Sequence, residues 1–210
     1  MQKFTVTLTF LEPILGTAPK DPEIYKTYIA SKAAEMNGIQ YVEIGADREV
    51  PADELATVQD VEEKGWTGFH LLNGCPILYD YAIKGFFKDA CSMLRRVEKS
   101  NSSKITAHKK IIDGLIFVEP RQLPLTIPAG QTLGVLERPL RAQTAQGERV
   151  TLARSDTAPA GTTITFDVIV MGVVNKAQIV EWLDYGRFRG LGQWRNGGYG
   201  KFEYTISEAI

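Results

Sequence analysis

Residues Trp182–Tyr204, WLDYGRFRGLGQWRNGGYGKFEY, run from the end of an apolar helical pattern, through six glycines, into a segment that reads as a strand. The residues upstream predict a helix. Asn175 and Gln178 have capping-box spacing, Ile179, Val180 and Leu183 make an apolar stripe, and Gly186 is placed to end it. The glycine-rich loop 186–200, with Gly190, Gly192, Gly197, Gly198 and Gly200, is therefore a junction between two regular elements. Glycine permits positive φ and close approach of the backbone, while Arg187, Arg189, Arg195 and Lys201 carry charge suited to phosphate oxygens. On that basis the loop is an anion-binding surface, with Trp194 and Tyr199 available to stack on bases; the structural alternative is tight turns with solvated arginines. The loop follows a helix and lacks both GxxxxGK[ST] and GxGxxG, which excludes a nucleotide P-loop and a dinucleotide fingerprint.

Working outward, Ile164, Phe166, Val168 and Val170 alternate as a strand after the turn Pro159–Gly161. Before it, residues 137–161 supply Arg138, Arg141, Arg149 and Arg154 among Gln143, Thr144, Gln146 and Thr151, the composition of a protruding hairpin that contacts phosphates, sugars and base edges. Edge arginines that block aggregation are the alternative. Leu123–Ile127 reads as a short strand, and Ile111–Val118 as a strand interrupted at Asp113-Gly114. Ser100–Lys110 reads as a polar, basic loop.

The strongest helical pattern lies in Asp80–Lys99, approached by the short segment Pro76–Tyr81. Ile83, Phe86, Phe87, Ala90, Cys91, Leu94 and Val97 give one buried face, while Lys84, Lys88, Ser92, Arg95 and Lys99 stack along another, either solvated or contacting a polyanion. At the start of the chain, Phe4, Val6, Leu8 and Phe10 alternate with threonines as a half-buried strand, broken by Glu12–Thr17. Asp21-Pro22-Glu23 opens a helix expected to reach about Met36, and a short helix is expected over Ala52–Glu62. The region of about 20–70 reads as a peripheral acidic insertion.

The net charge of −1 conceals a split. Leu11–Glu63 holds twelve acidic and four basic residues, a net of −8, which leaves +7 for the remainder. A basic groove beside an acidic insertion suits steering of a polyanion or of a neighbouring subunit. MQKFTVTLTF alternates as a strand rather than as a signal peptide, and no apolar run reaches membrane-spanning length, so an intracellular, cytoplasmic protein with no membrane contact is expected. Cys75 and Cys91 are expected as buried free thiols. His70 and His108 lack a partner nearby in sequence and read as exposed and structurally minor. No catalytic constellation, metal-ligand pattern or cofactor motif is visible.

The core condenses to β-α-β-β-α-β, an α+β, ferredoxin-like (RRM-like) plan with an acidic helical insertion and a β-hairpin thumb, in a single domain over 1–210. Four stretches in matching order resemble the RAMP superfamily of CRISPR-associated proteins, especially backbone subunits that line guide RNA. Phe10–Gly16, FLEPILG, is similar to the family's first strand and Pro-apolar turn. Asp80–Arg96, DYAIKGFFKDACSMLRR, resembles the SSLKG-x-x-R helix, with Tyr81-Ala82 in the place of Ser-Ser and Lys88 in the place of the Arg. Arg138–Val170 is similar to the thumb and its following strand. Gly190–Phe202, GLGQWRNGGYGKF, resembles the signature G-G-x-x-S-R-G-x-G-K, with Asn196-Gly197 where Ser-Arg is common.

The resemblance implies a subunit that binds single-stranded RNA or DNA and assembles along it as a homo-oligomer or with related subunits, in a CRISPR system, a phage or another mobile element. Two readings compete with it. One is a metal-independent endoribonuclease, for which His108 and His70 are the available acid–base groups. The other is a protein-interaction or inhibitor module that uses the acidic insertion.

Overall fold

The computed structural model describes residues 1–20, 66–144 and 147–208. The helices expected over Asp21–Met36 and Ala52–Glu62 lie outside the described residues. In chain order the elements are β1 (Gln2–Phe10), β2 (Ile14–Leu15), β3 (Ala18–Pro19), β4 (Trp66–Gly68), β5 (His70–Leu72), β6 (Cys75–Tyr79), α1 (Asp80–Leu94), α2 (His108–Leu115), β7 (Ile116–Glu119), β8 (Gln122–Pro124), β9 (Gly134–Thr144), β10 (Gly147–Ala158), β11 (Thr163–Val170), α3 (Lys176–Arg189) and β12 (Phe202–Glu208). The chain divides into two compact units: Met1–Leu15 with Phe69–Gly134 and Thr157–Ile210, and Gly16–Gly68 with Val135–Asp156.

The first unit is built on a four-stranded sheet of order β12-β1-β11-β7, antiparallel throughout. Period-two patterning decides its faces. Phe4, Val6, Leu8 and Phe10 are fully buried and share one cluster with Ile164, Phe166, Val168 and Val170 of β11 and with the inward residues of α1 and α3. Phe86 and Phe87 of α1 carry the contact, Phe86 against Phe202 at 5.3 Å and Phe87 against Trp182 at 5.5 Å between ring centroids. The opposite face displays Thr5, Thr7, Thr9, Asp167 and Thr165. Thr5 donates to Asp167 at 2.7 Å, Lys3 pairs with the same carboxylate at 2.9 Å, and Thr7 bonds Thr165 at 2.9 Å. A smaller sheet of order β5-β6-β8 leads into α1.

The capping box of α3 forms as its spacing predicts: the Asn175 side chain accepts from the Ala177 N–H at 2.8 Å, and Gln178 accepts from the Asn175 N–H at 2.9 Å. Gly186 does not end this helix, which continues to Arg189. It lies inside because a Cβ there would strike the Phe202 ring. Ile111–Val118 departs further from its expected form. Residues 108–115 are helical and only Ile116–Glu119 is strand. Ile111, Ile112 and Leu115 sit at helical spacing, and an apolar run this short fits either period. Within the supposed Ser100–Lys110 loop, Asn101–Lys104 forms a 3-10 turn. On α1 the buried face stops at Cys91; Leu94 is half-buried and Val97, beyond the helix end, is exposed. The approach to α1 is the strand β6.

In the second unit β9 pairs with β10, β10 pairs in parallel with β4 at Arg154↔Trp66 and Ser155↔Thr67, and β3 pairs with β4. Buried Asp156 accepts from Trp66 Nε1 at 2.8 Å and from Lys20 Nζ at 2.9 Å, and Lys20 also lies 4.3 Å over the Trp66 ring.

Candidate nucleic-acid interface

The glycine loop is folded against the first turn of the chain. Gly190, Gly192, Gly198 and Gly200 have φ of +75°, +86°, +89° and +68°, values that strain other residues. A Cβ on Gly190 would strike the Tyr199 carbonyl oxygen, one on Gly200 that of Leu191, and one on Gly192 would meet the Leu15 carbonyl oxygen at 3.0 Å. The Gly200 N–H donates to Pro13 O at 2.9 Å, and the Leu11 N–H to Lys201 O at 2.8 Å. Three of the glycines therefore serve the fold. Gly197 and Gly198 lie outside this contact, beside Tyr199 and Lys201. Trp194 and Tyr199 meet edge to face with centroids 6.4 Å apart, an arrangement that holds both half-buried rings on the loop.

Asp89 of α1 ties this loop to the helix. Its Oδ2 accepts from Arg189 Nε at 2.9 Å and from Arg195 Nη1 at 3.0 Å, and Arg189 also donates to Asn196. One carboxylate thus holds two guanidiniums. The arginines are neither buried nor fully solvated, with side-chain exposures of 26% and 19%. Arg187 stands exposed on the last turn of α3, next to the exposed Phe188, and Lys201 is half-buried at the end of the loop.

The other flank of α1 is engaged differently. Lys88 pairs with Asp113 of α2 at 2.9 Å, while Lys84 donates to the Asp113 carbonyl at 3.0 Å and lies 5.5 Å from the Phe117 ring. At 3.6 residues per turn, Tyr81, Gly85 and Ser92 form the strip between these flanks. A Cβ at Gly85 would meet nothing within 4 Å. At the start of the strip, Tyr79 and Tyr81 stack with centroids 5.3 Å apart and planes 14° from parallel, and His70 packs edge-on to Tyr79 at 4.8 Å.

The structure thus brings Lys84, Lys88, Arg187, Arg189, Arg195, Lys201, Trp194 and Tyr199 into the unit that carries α1 and the glycine loop. The hairpin arginines belong to the second unit. There Arg138 is buried, Arg154 pairs with Glu137 at 2.7 Å and lies 6.0 Å from the Trp66 ring, and Arg141 and Arg149 are placed on β9 and β10. Asp89 and the stacking of Tyr79 on Tyr81 are not picked out by the sequence patterns, whereas Ile83-Lys84-Gly85 already stands in the place of LKG in the helix motif. Asp89 sits among lysines as a solvated helix residue would. Gly85 is visible as a glycine that interrupts a helical pattern, and Tyr81 as an aromatic off the buried stripe.

Both histidines are half-buried rather than exposed. Burial pushes the His70 pKa down; burial, then the neighbouring Arg95 charge, does the same for His108. Arg95 donates to His108 Nδ1, 2.9 Å away, and Nε2 is buried without a partner among the described residues. The thiols differ from expectation in one case. Cys91 is buried, and burial raises its pKa, whereas Cys75 is exposed. Among the described residues no group of three His, Cys, Asp or Glu is arranged to hold a metal, and no helix is long and apolar enough to cross a membrane.

No protein-family model and no curated protein matches the sequence. Among solved structures, the fold is similar to that of a chain in the cryo-EM structure of the Type III-B Cmr-beta bound to cognate target RNA, with a TM-score of 0.54 and 13% identity over 99% of this chain. The present chain spans 60% of that chain's length. A chain of a Type IV-B CRISPR complex aligns over 98% of this chain and 90% of its own at 10% identity, with a TM-score of 0.42. The fold is mixed α+β and similar to that of a CRISPR-complex subunit.

Proposed function

We propose that the protein binds single-stranded nucleic acid, RNA in the first instance, as a cytoplasmic RAMP-type subunit that assembles side by side with copies of itself or related subunits. The sheet order and β-α-β-β-α-β connectivity support a ferredoxin-like core, and the similarity to a subunit of an RNA-bound complex supports the ligand class. Base-stacking aromatics are absent from the described central strands of the open sheet face, where RNA-recognition domains carry them. The strand instead follows α1 and the glycine loop, with Lys84, Lys88, Arg187, Arg189, Arg195 and Lys201 on its phosphates and Trp194 and Tyr199 near its bases. The hairpin of the second unit offers Arg141, Arg149 and Arg154 as a separate set of phosphate contacts.

The observation that carries this reading is Gly85. A glycine inside a helix costs about 0.5–1 kcal/mol relative to alanine, and among the described residues no neighbouring side chain requires its lack of a Cβ. A ligand that lies against the helix backbone does require it. Gly85 is also one turn before Asp89 and its two arginines. Gly85→Ala is expected to raise stability by about 0.5–1 kcal/mol. Gly85→Gln, an uncharged helix former, is expected to weaken binding of a labelled single-stranded RNA by about tenfold or more. Wild-type affinity should also fall steeply as salt rises. Full affinity in the folded Gly85→Gln variant would overturn the reading.

A further inference from the structure

The Tyr79–Tyr81 pair is used by neither the core nor the arginine cluster. Its geometry is fixed from below. β6 pairs with β8 at Tyr79↔Gln122, and the Asp80 N–H donates to Arg121 O at 2.9 Å, so the junction between strand and helix is pinned. His70 closes one edge of Tyr79, the two tyrosine rings lie near parallel, and Tyr81 remains 48% exposed. Lys84 stands one helical turn from Tyr81, and exposed Arg121 adjoins the same junction beside Asp80. Two near-parallel rings, the outer of them half exposed, have the form of a base stack that a further ring would extend. Cations beside it suit the phosphates that such a base brings.

We propose that Tyr81, backed by Tyr79, is a base-stacking site for single-stranded nucleic acid at the start of the α1 strip. This rests on the nucleic-acid reading and extends it, because the arginine cluster contacts phosphates whereas a ring contacts bases. From Tyr81 to Asp89 is eight residues of helix, about 12 Å along the axis. The bare backbone at Gly85 lies between them, so one strand passing over Gly85 reaches both. A π-face accepts any base, which makes the contact tolerant of sequence.

The test uses the full chain and two labelled oligonucleotides of equal length, a homopyrimidine RNA and a strand of the same charge with abasic spacers, with binding read by fluorescence anisotropy. Tyr81→Ala is expected to weaken binding of the base-bearing strand by about tenfold. It should leave the abasic strand and the salt dependence unchanged, while Tyr81→Trp retains affinity. If Tyr81→Ala does not fold by circular dichroism, Tyr81→Leu is measured on the same two strands. The proposal is overturned if the variant binds the base-bearing strand as tightly as wild type, or if both strands lose affinity equally. It is likewise overturned if only self-association changes, which would make the tyrosine pair a subunit contact. Absence of any wild-type binding would overturn the nucleic-acid reading itself, and this proposal with it.

Discussion

Gly200 and Gly197 are three residues apart in one loop, yet the fold makes opposite demands on them. Gly200 combines φ of +68° with a position where a Cβ would strike the Leu191 carbonyl oxygen. At Gly197 the nearest atoms to a Cβ are on the Tyr199 ring at 3.5 Å, an ordinary contact. Gly200→Ala is therefore expected to destabilise the protein by at least about 1–3 kcal/mol, the range for strained backbone positions. Gly197→Ala should stay within about 0.5 kcal/mol, and urea denaturation of the two variants checks both. In the sequence the loop glycines look alike, and all read as ligand-facing. What separates them is which piece of backbone lies opposite, and no local pattern encodes that. Asp89 is hidden for a similar reason, since its partners Arg189 and Arg195 are 100 and 106 residues away.

The helices are held by contacts of the same long range. Glu181 of α3 accepts from the N–H groups of Asn101 at 2.6 Å and Ser102 at 3.0 Å and from the Ser102 hydroxyl, which in turn accepts from Trp182 Nε1 at 2.9 Å. This carboxylate latches the 3-10 turn to α3. Glu181→Ala leaves these donors without their acceptor and should cost about 1–3 kcal/mol, read as a lower urea midpoint at unchanged slope. Asp113 of α2 occupies the ammonium of Lys88 on α1 as a phosphate would. Asp113→Asn is expected to tighten RNA binding by a few-fold, within the value of an exposed ion pair of about 0.2–1 kcal/mol. Unchanged affinity would remove Lys88 from the phosphate contacts. Elements with a strict period are legible in the sequence alone: β1 and β11 by alternation, α3 by its capping box, α1 by its apolar stripe. α2 is not, because Ile111 and Ile112 followed by Asp113-Gly114 satisfies both periods over too few residues to choose between them.

For the molecule as a whole, the two histidines set a pH dependence. Both pKa values are lowered in the folded state, from an ordinary value of 6.5. As pH falls below that value the unfolded chain takes up protons before the folded one, so stability present above it is lost through the window down to the folded pKa values. Thermal unfolding between neutral and mildly acidic pH should show a falling midpoint, flattened in His70→Gln and His108→Gln. A flat profile in the wild type would contradict the burial of both rings. The broad charge division is readable from composition, whereas the division of the cations between two compact units is not, because charge runs do not reveal which strands pair. The contrast between the two thiols has a practical outcome. Cys75 is exposed on the hairpin that ends at Tyr79, while Cys91 is fully buried. A maleimide dye added to the native protein should attach at one place, without mutagenesis, at the end of β6 opposite Tyr79.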